Sequence, residues 1–324
     1  MRKNKKISEK YIIHKYLRNL HYNKIETFNF NNDAAYLKVP KNKQLVVTND
    51  TILESTDFFK NDPPESIANK IVTCNLSDIS SMGASPYAYT LSLCLPDKIT
   101  DTWLTKFTKK LQILQKKYNF FLIGGDLSKS NKIIISSNFF GFVSKGKILN
   151  RTGAKVNDDI WITGNLGESS IGLAIRKKKI RLNNISQKYF LSKYLYPQHC
   201  IIGDKINNLA TSAIDISDGF YGDLEKLINE KKIGACINST LIPFSFKTKQ
   251  LIRSKIIKFN YLLSAGDDYE LLFTSNSRNS STISKLAKNN NIKITKVGRI
   301  IEKKGLYLDG NKIKIVNKSF QHIF

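Results

Sequence analysis

Apolar residues follow two spacings along the chain, one typical of helices and one typical of strands. They recur at helical spacing from Trp103 to Leu114 and predict a helix over 101–118 that Thr100 or Asp101 caps. Short apolar runs without that spacing predict strands. The other predicted helices are an amphipathic one near the amino terminus and those over 66–82, 169–176, 187–210 with a break at Pro197, 221–230 and 281–289. The predicted strands cover 44–47, 87–95, 120–123, 132–143, 159–163, 214–216 and 269–274, and 303–318 predicts hairpin strands.

Strands and helices follow one another throughout, which predicts an α/β or α+β architecture. A chain of 324 residues is long enough for two domains. A turn precedes residue 148, so we place the boundary there and expect domains over 1–148 and 149–324.

The net charge of +26 suggests nucleic-acid binding at first sight. The excess lysines, however, are spread along the whole chain beside many Asn and Ile, as in a genome with biased nucleotide composition. A nucleic-acid surface calls for basic clusters with Arg and interleaved aromatic residues. We therefore do not expect nucleic-acid binding as the main role, although the charge favours anionic substrates.

The four cysteines lie far apart and show no metal-binding spacing. This usage is typical of reduced thiols in a cytoplasmic protein. No apolar run reaches transmembrane length, and the basic amino terminus lacks the apolar core of a signal peptide. The expected location is the cytoplasm.

Aspartates follow several of the apolar runs. Asp50 closes LVVTND, Asp78 lies in NLSDISSMGA, Asp126 closes FFLIGGD, and Asp215 and Asp218 lie in TSAIDISDGFYGD. Each one alone is more often a cap or turn residue. Together, beside neutral or glycine neighbours, they favour Mg²⁺ ions that bridge the protein to a polyphosphate. This interpretation requires the aspartates to converge in space.

Familiar nucleotide signatures are absent from the sequence. It contains no P-loop and no H-R-D or D-F-G set, and the turn Gly164–Gly167 is not a G-x-G-x-x-G motif. Gly124 and Gly125 would instead let phosphate oxygens approach the backbone. Phosphoryl transfer by alignment and charge neutralisation needs no covalent intermediate, so no side chain is assigned as a catalytic one.

The motifs NDAA, VVTNDTILESTDFF, ANKIVTCNLSDISSMGASPYA, LIGGD, LNRTGAKVNDDIWITGNLGESSIGLAI, SAIDISDGFYGDL and SAGDDYELLF resemble, in order, those of the thiamine-monophosphate kinase family. The resemblance implies the two-domain fold of the aminoimidazole-ribonucleotide synthetase superfamily. In that fold the N-terminal sheet pairs with a partner subunit into a barrel, and the C-terminal domain is α+β. It also implies a homodimer that uses ATP and Mg²⁺ to phosphorylate thiamine monophosphate to thiamine diphosphate, the last step of its biosynthesis.

The family's functional residues transfer to this chain by position. By resemblance, the Mg²⁺ ligands are Asp33, Thr48, Asn49, Asp50, Asp78, Asp126, Asp215 and Asp218. The nucleotide-binding residues are Gly125, Asp126, Arg151 and Ser217, and the residues that contact the thiamine substrate are Asp57, Asp267 and Phe320.

The chain departs from the family pattern mainly at the substrate positions. Asp57 stands where His is usual, Asp267 where Glu is usual, and Phe320 where Trp or Tyr is usual. Elsewhere, Asn31-Asn32-Asp33 replaces Gly-Asp-Asp, Asn49 replaces Thr, and Leu127-Ser128-Lys129 replaces Thr-Thr-Arg. The expected metal ligands are otherwise complete, so we expect an active enzyme that binds the thiamine moiety more weakly.

Two alternatives remain open. The first is a related ATP-dependent enzyme with another acceptor. A selenophosphate synthetase would want a reactive amino-terminal cysteine, whereas the first one here is Cys74 in a predicted helix, and the motifs fit aminoimidazole-ribonucleotide synthesis less well. The second is a basic protein that binds anions or nucleic acid and has a decayed active site.

Overall fold

A computed structural model describes residues 7–229 and 231–313. It divides the chain into two compact units. The first comprises Met1–Ile79 and Ala84–Lys145, and the second comprises Ser80–Gly83 and Gly146–Phe324. Both mix helices and strands, as the sequence predicts. Among the described residues, every helix is too short or too polar to span a lipid bilayer.

The first unit contains a four-stranded sheet in the order β1-β4-β2-β3. Its strands are β1 (Lys43–Leu53), β2 (Ser85–Leu95), β3 (Phe121–Lys129) and β4 (Ile134–Ser144), and its helices are α1 (Glu9–Ile12), α2 (Pro64–Ser81) and α3 (Asp101–Tyr118). β4 is antiparallel to β1 and β2, whereas β2 and β3 are parallel. β1 and β3 are therefore the two edge strands.

Two expectations about strand ends were wrong. Asp50 does not follow β1 but lies inside it, opposite Ser137 of β4. Gly124, Gly125 and Asp126 likewise continue β3 instead of ending it, with Gly125 opposite Leu91 of β2. In both places the ladder to the neighbouring strand supplies the backbone hydrogen bonds, and these override the local preference of Asp and Gly for turns.

The predicted amino-terminal helix is present. α1 continues as a π-helical turn over Ile13–Leu17 and a 3₁₀ turn over Arg18–His21. Its buried face includes Ile12 and Leu17. Asp101, in the first turn of α3, accepts hydrogen bonds from the hydroxyls of Tyr11 and Tyr16 and pairs with Lys15. Through these contacts the amino-terminal segment is tied to α3, whose cap is Thr100 as predicted.

The second unit contains a seven-stranded mixed sheet in the order β11-β10-β7-β9-β5-β8-β6. Its strands are β5 (Asp159–Thr163), β6 (Ala210–Ile216), β7 (Gly234–Ile237), β8 (Glu270–Ser275), β9 (Ile294–Ile301), β10 (Gly305–Leu308) and β11 (Asn311–Lys312). Its helices are α4 (Glu168–Arg176), α5 (Asn184–Leu195), α6 (Gly203–Ile206), α7 (Phe220–Asn229), α8 (Phe246–Arg253), α9 (Phe259–Ser264) and α10 (Ser280–Asn289).

Two apolar clusters form the core of this unit. The larger includes Ile162 of β5, Phe190 of α5 and Leu224 of α7, all fully buried. The smaller includes Phe273 of β8 and Ile283 of α10. Packing against these clusters fixes the position of β6 and of the loop before α7. Together they carry the DISDG motif.

Candidate functional site

Asp50 and Asp78 come together in the first unit. The Thr48 hydroxyl donates a hydrogen bond of 2.5 Å to Asp78 Oδ2. Thr48 and Asp50 lie two residues apart on β1 and therefore share one face of the strand. The charges of Asp78 and Asp57 both act on Asp50. Asp50 thus lies near Asp78 and the Thr48 hydroxyl, and Asp57 is near enough for its charge to act on it.

The Asp50 carboxylate is only partly satisfied. Its Oδ2 atom is buried and has no hydrogen-bond partner. Burial is the largest cause that raises its pKa to about 7, and the negative charges of Asp78 and Asp57 add to it. An unsatisfied, buried carboxylate oxygen beside a second carboxylate is what a bound cation would satisfy.

Two predicted residues of this region make other contacts. The side-chain amide of Asn49 lies on the opposite face of β1 and donates to Asn138 Oδ1 at 2.9 Å. Asp57 Oδ2 accepts from the backbone nitrogen of Leu53 at 2.8 Å and closes the turn after β1. Asn49 is therefore not brought together with Thr48 and Asp50 through its side chain.

A second group of predicted residues lines a cavity of about 230 Å³ in the same unit. Asp33, Gly125 and Asp126 contribute to its wall, and Glu9 and Ile13 of the amino-terminal segment line it as well. Sequence reasoning did not assign Glu9 to a site, because an exposed acid at a helix start is an ordinary feature.

The backbone at Gly125 is tightly packed. A Cβ atom there would lie 1.9 Å from the backbone oxygen of Leu91, whereas at Gly124 it would meet nothing within 4 Å. Gly125 is thus required for the pairing of β3 with β2. Ser128 Oγ donates to Asp126 Oδ2 at 2.8 Å and orients that carboxylate.

The two groups lie on opposite edges of one sheet. Asp50 belongs to β1 and Asp126 to β3, with β4 and β2 between them. Three strand spacings amount to about 14 Å. A single copy of this unit therefore does not bring Asp50 and Asp126 together.

In the second unit, backbone bonds join two predicted sites. Asp215 lies in β6 opposite Leu271 and is buried. The backbone nitrogen of Asp267 donates to the carbonyl oxygen of Ser217 at 2.9 Å. Asp267 has a positive φ of 69°, a conformation that costs energy for a non-glycine residue. The strained loop is thus fixed against the DISDG turn.

Asp267 also lines a cavity of about 160 Å³ with Asp268, Glu270, Glu168 and Lys193. Burial raises the pKa of Glu270 to about 7, and the Thr163 hydroxyl donates to its carboxylate at 2.5 Å. Burial also raises the pKa of Asp268 well above its usual value, while Gly167 donates its backbone N–H. The density of acids in GDDYE was the only sequence signal for this cavity.

Arg151 lies in a short 3₁₀ turn that packs on β6. Asn150 caps this turn by accepting from the backbone nitrogen of Thr152 at 3.0 Å. A Cβ atom at Gly153 would lie 1.7 Å from the carbonyl oxygen of Thr211, so only glycine allows this approach. Arg151 itself is exposed to solvent.

Two further predictions have different outcomes. Asp218 forms an ion pair with Lys226 at 2.5 Å. Phe320 lies outside the described residues. Within residues 7–229 and 231–313, no group of three or more His, Cys, Asp or Glu side chains is arranged to hold a metal by itself.

The donor set nevertheless fits Mg²⁺. This ion prefers oxygen ligands and is usually held by one or two carboxylates together with substrate phosphates. Asp50 and Asp78 supply such a pair, with the Thr48 hydroxyl beside them. The partnerless oxygen of Asp50 is the observation that supports the fit.

Comparison with known proteins first identifies the class of protein to which the chain belongs. Residues 31–143 match the family described as AIR synthase related protein, N-terminal domain. Thiamine-monophosphate kinase of Buchnera aphidicola subsp. Acyrthosiphon pisum (strain APS) is 36% identical over 323 residues, which is 98% of this chain and 99% of the relative. The chain belongs to the thiamine-monophosphate kinase family.

Solved structures agree with this assignment. The crystal structure of thiamine-monophosphate kinase from Stenotrophomonas maltophilia K279a is 29% identical with a TM-score of 0.81, covering 87% of this chain and 90% of that one. AaThiL complexed with AMPPCP and TMP is 27% identical with a TM-score of 0.79, covering 90% and 91%. The predicted family is therefore confirmed, and so is a mixed α/β fold like that of the thiamine-monophosphate kinase structures.

Proposed function

We propose that this chain transfers the γ-phosphoryl group of ATP to the phosphate of thiamine monophosphate, giving thiamine diphosphate and ADP. Relatives that carry this name match nearly the whole chain. AaThiL binds AMPPCP, an ATP analogue, together with TMP, which supports the same pair of substrates here. The structural observation that carries the proposal is the buried, partnerless Oδ2 of Asp50 beside Asp78.

Mg²⁺ is the proposed cofactor. When bound, it supplies positive charge that offsets the polyphosphate and aligns the transferred group. Asp50 and Asp78 would hold it with Thr48. In its absence, burial and then the neighbouring charge of Asp78 raise the pKa of Asp50. Asp33, Asn49, Asp126 and Asp215 are proposed as further ligands on the ground of resemblance.

The remaining residues bind and orient the two substrates. Gly125 and Asp126 are proposed to contact the nucleotide on the ground of resemblance. The open space beside Gly124, where a Cβ atom would meet nothing within 4 Å, leaves room for a phosphate next to them. Arg151 and Ser217 are proposed to contact ATP, and the positive guanidinium suits phosphate oxygens. Three residues are proposed to contact the thiamine substrate, namely Asp57, Asp267 and Phe320.

We further propose a cytoplasmic homodimer in which two sheets form a barrel. The outer face of the first unit's sheet is apolar at its edge, where Leu45 and Val47 are 37% and 55% exposed. Phe142 and Phe140 lie opposite them on β4 and are half-buried. A partner sheet would cover this face and close both edges, which supports the dimer because edge strands are otherwise open to aggregation.

The test is a reaction of purified protein with ATP, Mg²⁺ and thiamine monophosphate, with thiamine diphosphate followed by chromatography. We expect product that depends on Mg²⁺. Aminoimidazole-ribonucleotide precursor and selenide serve as comparison acceptors in parallel reactions. Absence of thiamine diphosphate at high enzyme concentration, or a faster reaction with another acceptor, would reject the proposal.

A further inference from the structure

Lys226 lies between two aspartates of the second unit. Its Nζ atom is 2.5 Å from Asp218 Oδ2 and 2.8 Å from Asp223 Oδ1. Asp223 and Lys226 are three residues apart on α7, so their side chains leave the same face of the helix. The ammonium group thus bridges the helix to the DISDG turn.

Buried contacts fix this lysine in place. Asp223 is completely buried. Its Oδ2 accepts from the backbone nitrogens of Asp218 and Gly219, each at 3.1 Å, while its Oδ1 accepts from Lys226. One carboxylate therefore holds both the turn and the lysine. The position of the ammonium group is set by the same contacts that shape the turn.

Asp218 already has a positive charge beside it. The resemblance assigns Asp218 to a metal, and the structure places a lysine nitrogen at hydrogen-bond distance from its carboxylate. A lysine ammonium is a compact point charge with three donors, and two of them are used here. An ion bound at the same oxygen would have to displace it.

We propose that Lys226 supplies the positive charge at Asp218 that a divalent cation would otherwise supply. The inference rests on the proposed Mg²⁺-dependent function, since it concerns how many ions that site takes up. It makes Lys226 a positioning residue, which holds Asp218 and neutralises it without contacting the reacting atoms. The chain then binds one ion fewer than its carboxylates alone would allow.

The test counts bound Mn²⁺, used as a spectroscopic substitute for Mg²⁺, by electron paramagnetic resonance on the full chain with and without AMPPCP. We expect Asp218→Asn to leave the count unchanged. Lys226→Met should raise the count by about one ion per chain, because it opens a carboxylate to a hard cation. Adding Asp218→Asn to Lys226→Met should remove that extra ion.

Two controls separate this role from a structural one. Lys296→Met removes a comparable ion pair, with Asp159 at 2.9 Å, and should not change the count. Lys226→Arg retains the charge and should also leave it unchanged. If Lys226→Met fails to fold, Lys226→Gln replaces it in the same comparison.

Two results would contradict the role proposed for Lys226. A loss of one Mn²⁺ ion from Asp218→Asn alone would mean that Asp218 already binds metal, and would overturn the inference. An unchanged count in folded Lys226→Met would overturn it too, because the lysine would then exclude no ion. The measurement needs no thiamine monophosphate, so its outcome is distinct from failure of the proposed reaction.

Discussion

Replacing Asp50 by Asn should stabilise the metal-free protein at neutral and higher pH. Asp50 has a buried oxygen without a partner, and its pKa is raised from 3.8 to about 7. The folded chain therefore holds this proton more tightly than the unfolded chain does. The resulting stabilisation is complete below about pH 4 and is lost as the pH rises through about 7.

The size of the effect follows from the pKa values. A rise from 3.8 to about 7 spans roughly three pKa units, and at about 1.4 kcal/mol each this gives about 4 kcal/mol. Asp50 retains some solvent contact, so this is an upper limit. Asn has nearly the same shape and no charge, so Asp50→Asn avoids the loss.

The assay is urea unfolding with EDTA at pH 4.5 and pH 8, repeated with Mg²⁺ at pH 8. The two proteins should differ least at the acid pH, and Asp50→Asn should be clearly the more stable at pH 8 without metal. Mg²⁺ should then stabilise the wild type more than the variant. Asp97→Asn, at an exposed carboxylate paired with Lys129, serves as the control and should show no such pH dependence. A wild type more stable than Asp50→Asn at pH 8 in EDTA would refute the reasoning.

Three further predictions test the other parts of the site. Asp126→Asn and Asp215→Asn should each lower kcat at least about 100-fold while circular dichroism stays unchanged, and near-normal rates in both would contradict the metal assignment. Gly125→Ala should lower the free energy of unfolding by about 1–3 kcal/mol, because the new Cβ atom meets the neighbouring strand. Gly124→Ala should leave it unchanged, and denaturant midpoints measure both effects. Val47→Lys should shift the protein from dimer to monomer in sedimentation velocity, and a dimer that persists would point to another face.

Local sequence patterns predicted the helices α2 and α3 of the first unit well. Apolar spacing and the Thr100 cap gave α3 its observed bounds, and the helix over 66–82 differs from α2 by two residues at its start and one at its end. These elements have strong periodicity and clear end signals, so little depends on the rest of the chain. By contrast, β7 and β9 were not predicted, because their pairing partners are distant in sequence.

The candidate site was predictable only in part. Motifs located the aspartates, but they could not reveal that Asp50 and Asp126 lie on opposite edge strands, since strand order depends on tertiary pairing. Nor could they reveal the ion pair of Asp218 with Lys226, which lies a helix turn beyond the motif. The excess of lysine in the composition gives no sign that individual lysines form specific ion pairs, such as that of Lys226 with Asp218.

The amino-terminal segment has a consequence for ligand exchange. It lines the cavity beside Asp126 with Glu9 and Ile13. Gln115 of α3 holds its end by donating to the carbonyl oxygen of Leu20 at 2.7 Å, whereas its beginning is held by Asp101, whose partner Lys15 is about half exposed to solvent. Leu17 and Leu20 are buried, so local opening is expected at the beginning of the segment, where the exposed ion pair lies. Dissolved ions screen an exposed ion pair of this kind. For a nucleotide that contacts Gly125 and Asp126 as proposed, the residence time should therefore shorten as ionic strength rises.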